Sequence, residues 1–145
     1  LWNQECELMS RTAEINLTID LDDDDIPTKI VWEASESSNA GSTHCQSMML
    51  SLWDAEQKTI AAIDLWEKDT TIDDMNHYFY QAIHQMANTY LRATKNESVS
   101  KLIHKFGERF GSTVGLVSNG SDKESARGAG LDLISLAEDN RERGV

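Results

Sequence analysis

Residues 48–80 read MMLSLWDAEQKTIAAIDLWEKDTTIDDMNHYFY, and the fold turns on how this stretch divides. Its first part alternates: Met48, Leu50 and Leu52 share one face, Met49, Ser51 and Trp53 the other. After Ala55, Glu56, Gln57 and Lys58 the alternation resumes, with Ala61, Ile63 and Leu65 opposing Ala62, Asp64 and Trp66. Period two on both sides of a short polar turn predicts a hairpin of strands over residues 46–54 and 59–67. Leu50, Leu52, Ile63 and Leu65 form the stricter apolar face and are assigned to the core. Thr70 and Thr71 then change the period. Either threonine suits a helix N-cap, because Asp73 or Asp74 follows three residues later, near the positive end of the helix dipole. Ile72, Met75, Phe79, Ile83, Met86 and Tyr90 recur at helical spacing as far as Thr94, which predicts a long helix with one apolar stripe.

Upstream, residues 14–22 place Ile15, Leu17, Ile19 and Leu21 on one face and Asn16, Thr18 and Asp20 on the other, a half-buried strand. Four consecutive aspartates, Asp22 to Asp25, and the single proline, Pro27, make the turn that follows. Residues 29–35 form the next strand, with Ile30, Trp32 and Ala34 on one face. The run SESSNAGST over residues 35–43 reads as a loop within the domain. Downstream, Lys95 lies in a tight turn and Asn96 caps a second helix with the stripe Val99, Leu102, Ile103, Phe106 and Phe110. The expected architecture is α+β: a four-stranded antiparallel sheet made of two hairpins, covered on one face by two antiparallel helices. Residues 9–115 form this domain. Residues 1–8 read as a non-native or disordered extension, and residues 116–145 as a flexible or weakly helical tail.

Composition restricts the partners. The chain of 145 residues carries 25 acidic and 13 basic side chains, a net charge of −12. Such a field repels nucleic acids and anionic membranes and suits neutral or basic proteins. Cys6 and Cys45 fit no disulfide framework or metal spacing and read as reduced thiols in a cytoplasm. No apolar run approaches the ~20 residues of a membrane span. The expected protein is cytoplasmic, with no membrane span.

Motifs with chemistry are few. A calcium loop begun at Asp22 would put Ile26 at a ligand position and Pro27 where glycine is obligatory, so the acidic run is a solvated turn. His77 and His84 lie two helical turns apart, whereas paired metal histidines on one helix are usually one turn apart. Asp73 and His77 have the i, i+4 relation of a surface helix pair. His44 and Cys45 are adjacent in an extended segment and point to opposite faces, so they form no dyad. His104 reads as a helix-boundary residue. Gly107, Gly111 and Gly115 form GxxxGxxxG, interrupted by Lys105, Glu108 and Arg109, so the membrane logic fails; close packing of this helix end on the sheet is favoured, ahead of simple fraying and of a dimer contact. No catalytic residue, cofactor or metal is nominated. Trp32, Trp53 and Trp66, with Asp64 between the last two, are either core or a contact surface for a partner or a second copy, since tryptophan is enriched at binding hot spots.

Several runs go beyond these patterns. Residues 26–32 (IPTKIVW), 48–54 (MMLSLWD), 63–69 (IDLWEKD), 72–75 (IDDM) with Phe79, and 86–90 (MANTY) with Ala93 and Thr94 resemble the gliding motility protein GldC family of Bacteroidetes-type bacteria. The order and spacing hold from about Thr12 to Phe110. The resemblance implies a small cytoplasmic accessory protein of gliding, the surface motility linked to a dedicated secretion machinery, with no enzymatic activity or cofactor. It departs from the family at Thr71, where a proline is usual, and it does not inform residues beyond about Gly115. The expected function is a non-enzymatic adaptor working through contacts with a protein of the gliding or associated secretion machinery, or through a homodimer. The alternative is an acidic secretion-chaperone-like protein that binds unfolded or partly folded clients.

Overall fold

A computed structural model describes residues 10–37 and 41–118. The expected extension over residues 1–8 and nearly all of the expected tail lie outside the described residues. The elements are β1 (Ile15–Leu21), β2 (Pro27–Ala34), β3 (Thr43–Cys45), β4 (Ser47–Asp54), β5 (Thr59–Trp66), α1 (Ile72–Thr94) and α2 (Glu97–Thr113). The fold is α+β, with five antiparallel strands in two sheets, β1-β2-β3 and β4-β5, and two helices in contact.

Both hairpins close as the sequence requires. At the first turn, Asp22 Oδ1 accepts from the backbone N–H groups of Asp24 and Ile26 at 3.0 and 3.1 Å, and Asp25 takes φ 60°. The acidic cluster thus spends a carboxylate on its own backbone. At the second turn, Asp54 Oδ1 accepts from the N–H groups of Glu56 and Gln57, both at 2.9 Å, and Lys58 takes φ 53°. Register pairs Leu17 with Trp32 in one hairpin, and Leu50 with Ile63 in the other.

The single four-stranded sheet is corrected to two sheets that part at Gln46. Successive backbone groups of a strand point to opposite edges. Cys45 pairs with Ile30 of β2, while the Gln46 carbonyl accepts from Glu67 N–H at 2.9 Å on the β5 side. The run through the bend at Gln46 therefore serves β2 with residues 43–45 and β5 with the rest, a corner of the kind that lets a strand switch sheets. Glu67 fastens the corner. Its Oε1 accepts from Ile30 N–H at 3.0 Å and meets His44 Nε2 at 2.6 Å. Next to it, Lys68 N–H donates to the Pro27 carbonyl at 2.9 Å. Ile30, beneath this knot, is fully buried.

The helices also depart from expectation. Thr71 caps α1 in a reciprocal box with Asp74, and Lys95 closes it in the left-handed region, φ 59°. Asn96 caps α2 through Val99 N–H. The close backbone approach of α1 is to α2 and not to a strand. Ser100 Oγ donates to the Ala87 carbonyl at 3.0 Å, and a Cβ on Gly107 or Gly111 would stand within 3 Å of His84 or Tyr80. The glycine motif packs against α1 rather than against a sheet. Gly115, φ 80°, and Leu116 end α2 in a Schellman arrangement, Leu116 N–H reaching the Gly111 carbonyl at 2.8 Å.

Because the helices pair with each other, most of the β4–β5 hairpin is left uncovered. Leu50 and Leu65 are half-buried, but Leu52 and Ile63 are 57% and 52% exposed, so the expected core assignment holds for only half of that face. Among the described residues Ile30 and Ala87 are the fully buried apolar side chains.

Candidate interaction site

The site lies where the hairpin meets the first turns of α1, and the capping box sets it. Thr71 Oγ1 accepts from Asp74 N–H at 3.1 Å, and the Asp74 carboxylate accepts from Thr71 N–H at 3.0 Å. The Thr71 backbone donor, followed by the Thr71 hydroxyl, holds the Asp74 carboxyl below its ordinary range; the Gln46 side chain contributes to the same effect. Ser47 Oγ reaches Met75 Sδ at 3.6 Å, and the Met49 backbone lies close enough to the Tyr78 phenol to offset part of its upward shift. Asp74, Met75 and Tyr78, on one helical face, thereby stand against residues 46–49, where the chain enters β4. The helix leaves the strand beyond this point.

A cleft of about 320 Å³ remains at the joint. Met48, Met49 and Leu65 of the hairpin and Met75 and Phe79 of α1 line it, together with Trp66, Tyr78 and one charged residue, Asp64. Tyr78 and Phe79 meet edge to face with centroids 5.8 Å apart. Burial, and to a smaller degree the charges of Asp64 and Cys45, push the Tyr78 phenol up and keep it protonated. No cation is paired with Asp64 among the described residues.

The four residues singled out in the sequence separate. Trp66 and Asp64 line the cleft together. Trp53 shares their face but sits opposite Ile60 at the far end of the hairpin, about 20 Å from Trp66 along the strands. It is 64% exposed, and Trp66 is 53% exposed. Trp32 belongs to the other sheet, half-buried between Leu17 and Thr43. The lining supplied by Met48, Met49, Tyr78 and Phe79 was not nominated from the sequence. The signal was present only as apolar residues on both faces of one strand and at the entrance of one helix.

A histidine pair also escaped the sequence. His84 Nδ1 and His104 Nδ1 are 2.7 Å apart between the helices, with rings stacked at 5.0 Å. The Asn88 side-chain oxygen stands 3.2 Å from His104 Nε2, so that nitrogen donates, His104 Nδ1 accepts, and His84 Nδ1 is the donor between the rings. His84 Nε2 is buried against Gly107 without a partner. Burial, then the neighbouring imidazole, holds the His84 pKa below its ordinary value.

Neither of the two remaining candidate pairs is hydrogen-bonded. His77 and Asp73 are exposed with no hydrogen bond between them. His44 turns to Glu67 and away from Cys45, whose thiol is pushed up by burial and by the Glu67 charge. Among the described residues no group of three His, Cys, Asp or Glu side chains could hold a metal ion, and no helix is long and apolar enough to cross a membrane.

These features define a small acidic α+β domain that carries an open cleft lined by aromatic and methionine side chains. A family model described as gliding motility-associated protein GldC-like matches residues 27–116, from the first residue of β2 to the end of the α2 cap. The chain belongs to the GldC-like family, which implies a role in gliding motility. No curated protein and no solved structure matches it. Every residue lining the cleft falls inside the matched span.

Proposed function

We propose that this protein is a non-enzymatic cytoplasmic accessory of gliding motility that works as an adaptor, holding a protein partner at the joint between the β4–β5 hairpin and α1. The observation that carries the reading is Trp66, more than half exposed in an apolar cleft to which two separate elements contribute. An aromatic anchor position with apolar walls is the usual centre of a binding hot spot. Contiguous exposed apolar surface rimmed by polar residues marks interaction sites more often than chance exposure does. Affinity capture from a gliding host tests it, with Trp66→Ala as control. The adaptor reading expects one folded partner, lost in the variant. Equal recovery of the same proteins by wild type and Trp66→Ala would contradict it.

A second reading, a secretion-chaperone-like holder of unfolded clients, draws on the wide apolar exposure outside the cleft. Leu102 and Phe106 are 65% and 60% exposed on α2, and the hairpin is open on both faces. Suppression of aggregation of an unfolded client at stoichiometric ratio, undiminished in Trp66→Ala, favours this reading over the adaptor.

A further inference from the structure

The cleft combines three features that, taken together, select a ligand chemistry. Its walls are apolar and polarisable, with Met48, Met49 and Met75 around Leu65. Three aromatic rings, Trp66, Tyr78 and Phe79, contribute to the same lining. Asp64 is the single charge among the described lining residues, two residues before Trp66 on β5 and therefore on the same face. The Asp64 charge is also felt by the Tyr78 phenol across the cleft. Among the described residues no lysine, arginine or histidine neutralises it.

From this arrangement we infer that the cleft receives a basic side chain, arginine or lysine, presented by an apolar segment of the partner protein. The statement rests on the adaptor reading and names what the adaptor recognises. A guanidinium or ammonium group is attracted to aromatic faces through the ring quadrupole, tryptophan being the strongest. Its aliphatic stem is matched by the methionines, which adapt to irregular shapes. Asp64 then supplies a countercharge that is unpaired among the described residues. An acidic side chain is rejected twice, by Asp64 at close range and by the net charge of −12 at long range. A purely apolar side chain would fill the walls and leave Asp64 desolvated without a partner. A second copy of this chain is the other conceivable occupant, and its acidity makes it the poorer match.

Three capped tripeptides test the inference: Ac-Leu-Arg-Leu-NH2, its norleucine analogue and its glutamate analogue, each titrated into the full chain and followed by the indole N–H resonances. The arginine peptide is expected to shift Trp66 and leave Trp53 in place. Binding of the norleucine peptide should be at least ~3-fold weaker, and the glutamate peptide should not bind. Asp64→Asn should remove the arginine preference, weakening the arginine peptide and not weakening the norleucine peptide, and added salt should weaken only the arginine peptide in wild type. Equal binding of arginine and norleucine peptides, or an arginine preference that survives Asp64→Asn, overturns the inference. So does a concentration-dependent dimer that shields Trp66 from all three. If the peptides fail to discriminate while Trp66→Ala still loses the captured partner, the adaptor reading stands and only the cation specificity is wrong.

Discussion

Gly107 is a position where the helix pair has no room for added volume. A Cβ there would lie 2.8 Å from His84 Nε2, 3.0 Å from His84 Cε1 and 3.1 Å from Ile83 Cγ2. Alanine should favour the helix by about 1 kcal/mol over glycine. Against that, overpacking a closed contact costs about 1–3 kcal/mol. The contact cannot relax cheaply, because His84 is held by its 2.7 Å bond to His104 and by the edge of Tyr80. The packing term wins, and Gly107→Ala should destabilise by up to ~2 kcal/mol, a fall in melting temperature of about 4–8 °C per kcal/mol for a domain near 100 residues. In a His84→Ala background the two closest atoms are gone, so the same change should be neutral or stabilising. Thermal and urea unfolding of the four proteins completes the cycle. A rise in stability on Gly107→Ala in wild type, or an equal loss in both backgrounds, would show that α1 and α2 do not pack through this glycine.

Thr71→Ala removes one half of the capping box and loosens the other, so it should cost about 1–2 kcal/mol and fray the helix start, measured by thermal unfolding followed at the helical circular dichroism band. Because the same turn positions Met75 and Tyr78, this variant should also weaken arginine-peptide binding at temperatures where it remains folded. The His84 site predicts a pH dependence. The folded state resists protonating His84, while the unfolded chain accepts the proton near pH 6.5. The stability contributed by the neutral pair is complete above that pH and is lost as pH falls through the lower folded value. Melting temperature should decline on going below pH about 6.5, and His84→Gln should flatten that portion of the curve. A further loss at more acid pH should remain in the variant, because Glu67, Asp22 and Asp74 all have carboxyls held below their ordinary range, first by the His44 bond, by Ile26 N–H and by Thr71 N–H respectively. Their contribution is present above the carboxylate range of the unfolded chain and disappears as each is protonated.

Elements defined by local rules were legible in the sequence. Alternation gave β1, β2, β4 and β5, and the helix at Ile72 was announced by Thr71 and Asp74, which are bonded as expected. The stop at Lys95 and the cap at Asn96 rest on equally local chemistry. What could not be read is how those elements face one another. The parting of the sheets depends on which edge each backbone group of Cys45 and Gln46 points to, and backbone direction leaves no trace in side-chain pattern. The short β3 was hidden because His44 and Cys45 carry no alternation of their own. The helices were expected on the sheet because their stripes are apolar, yet Gly107 and Gly111 let α2 close on α1. Of the candidate site, Trp66 and Asp64 could be named, since they stand on one face of one strand. Tyr78 and Phe79 join them only because the capping box aims the first turns of α1 at Ser47 and Met49.

The central claim is that this member of the GldC-like family serves gliding through a protein held at the Trp66 cleft. The most direct measurement is the gliding speed of host cells in which the gene is replaced by Trp66→Ala, with protein level and folded state checked in the same strain. Trp66 is exposed, so the variant should fold and accumulate as wild type does. The account predicts cells that glide as poorly as cells lacking the protein. Cells carrying a folded, normally abundant Trp66→Ala protein and gliding at the wild-type speed would contradict it.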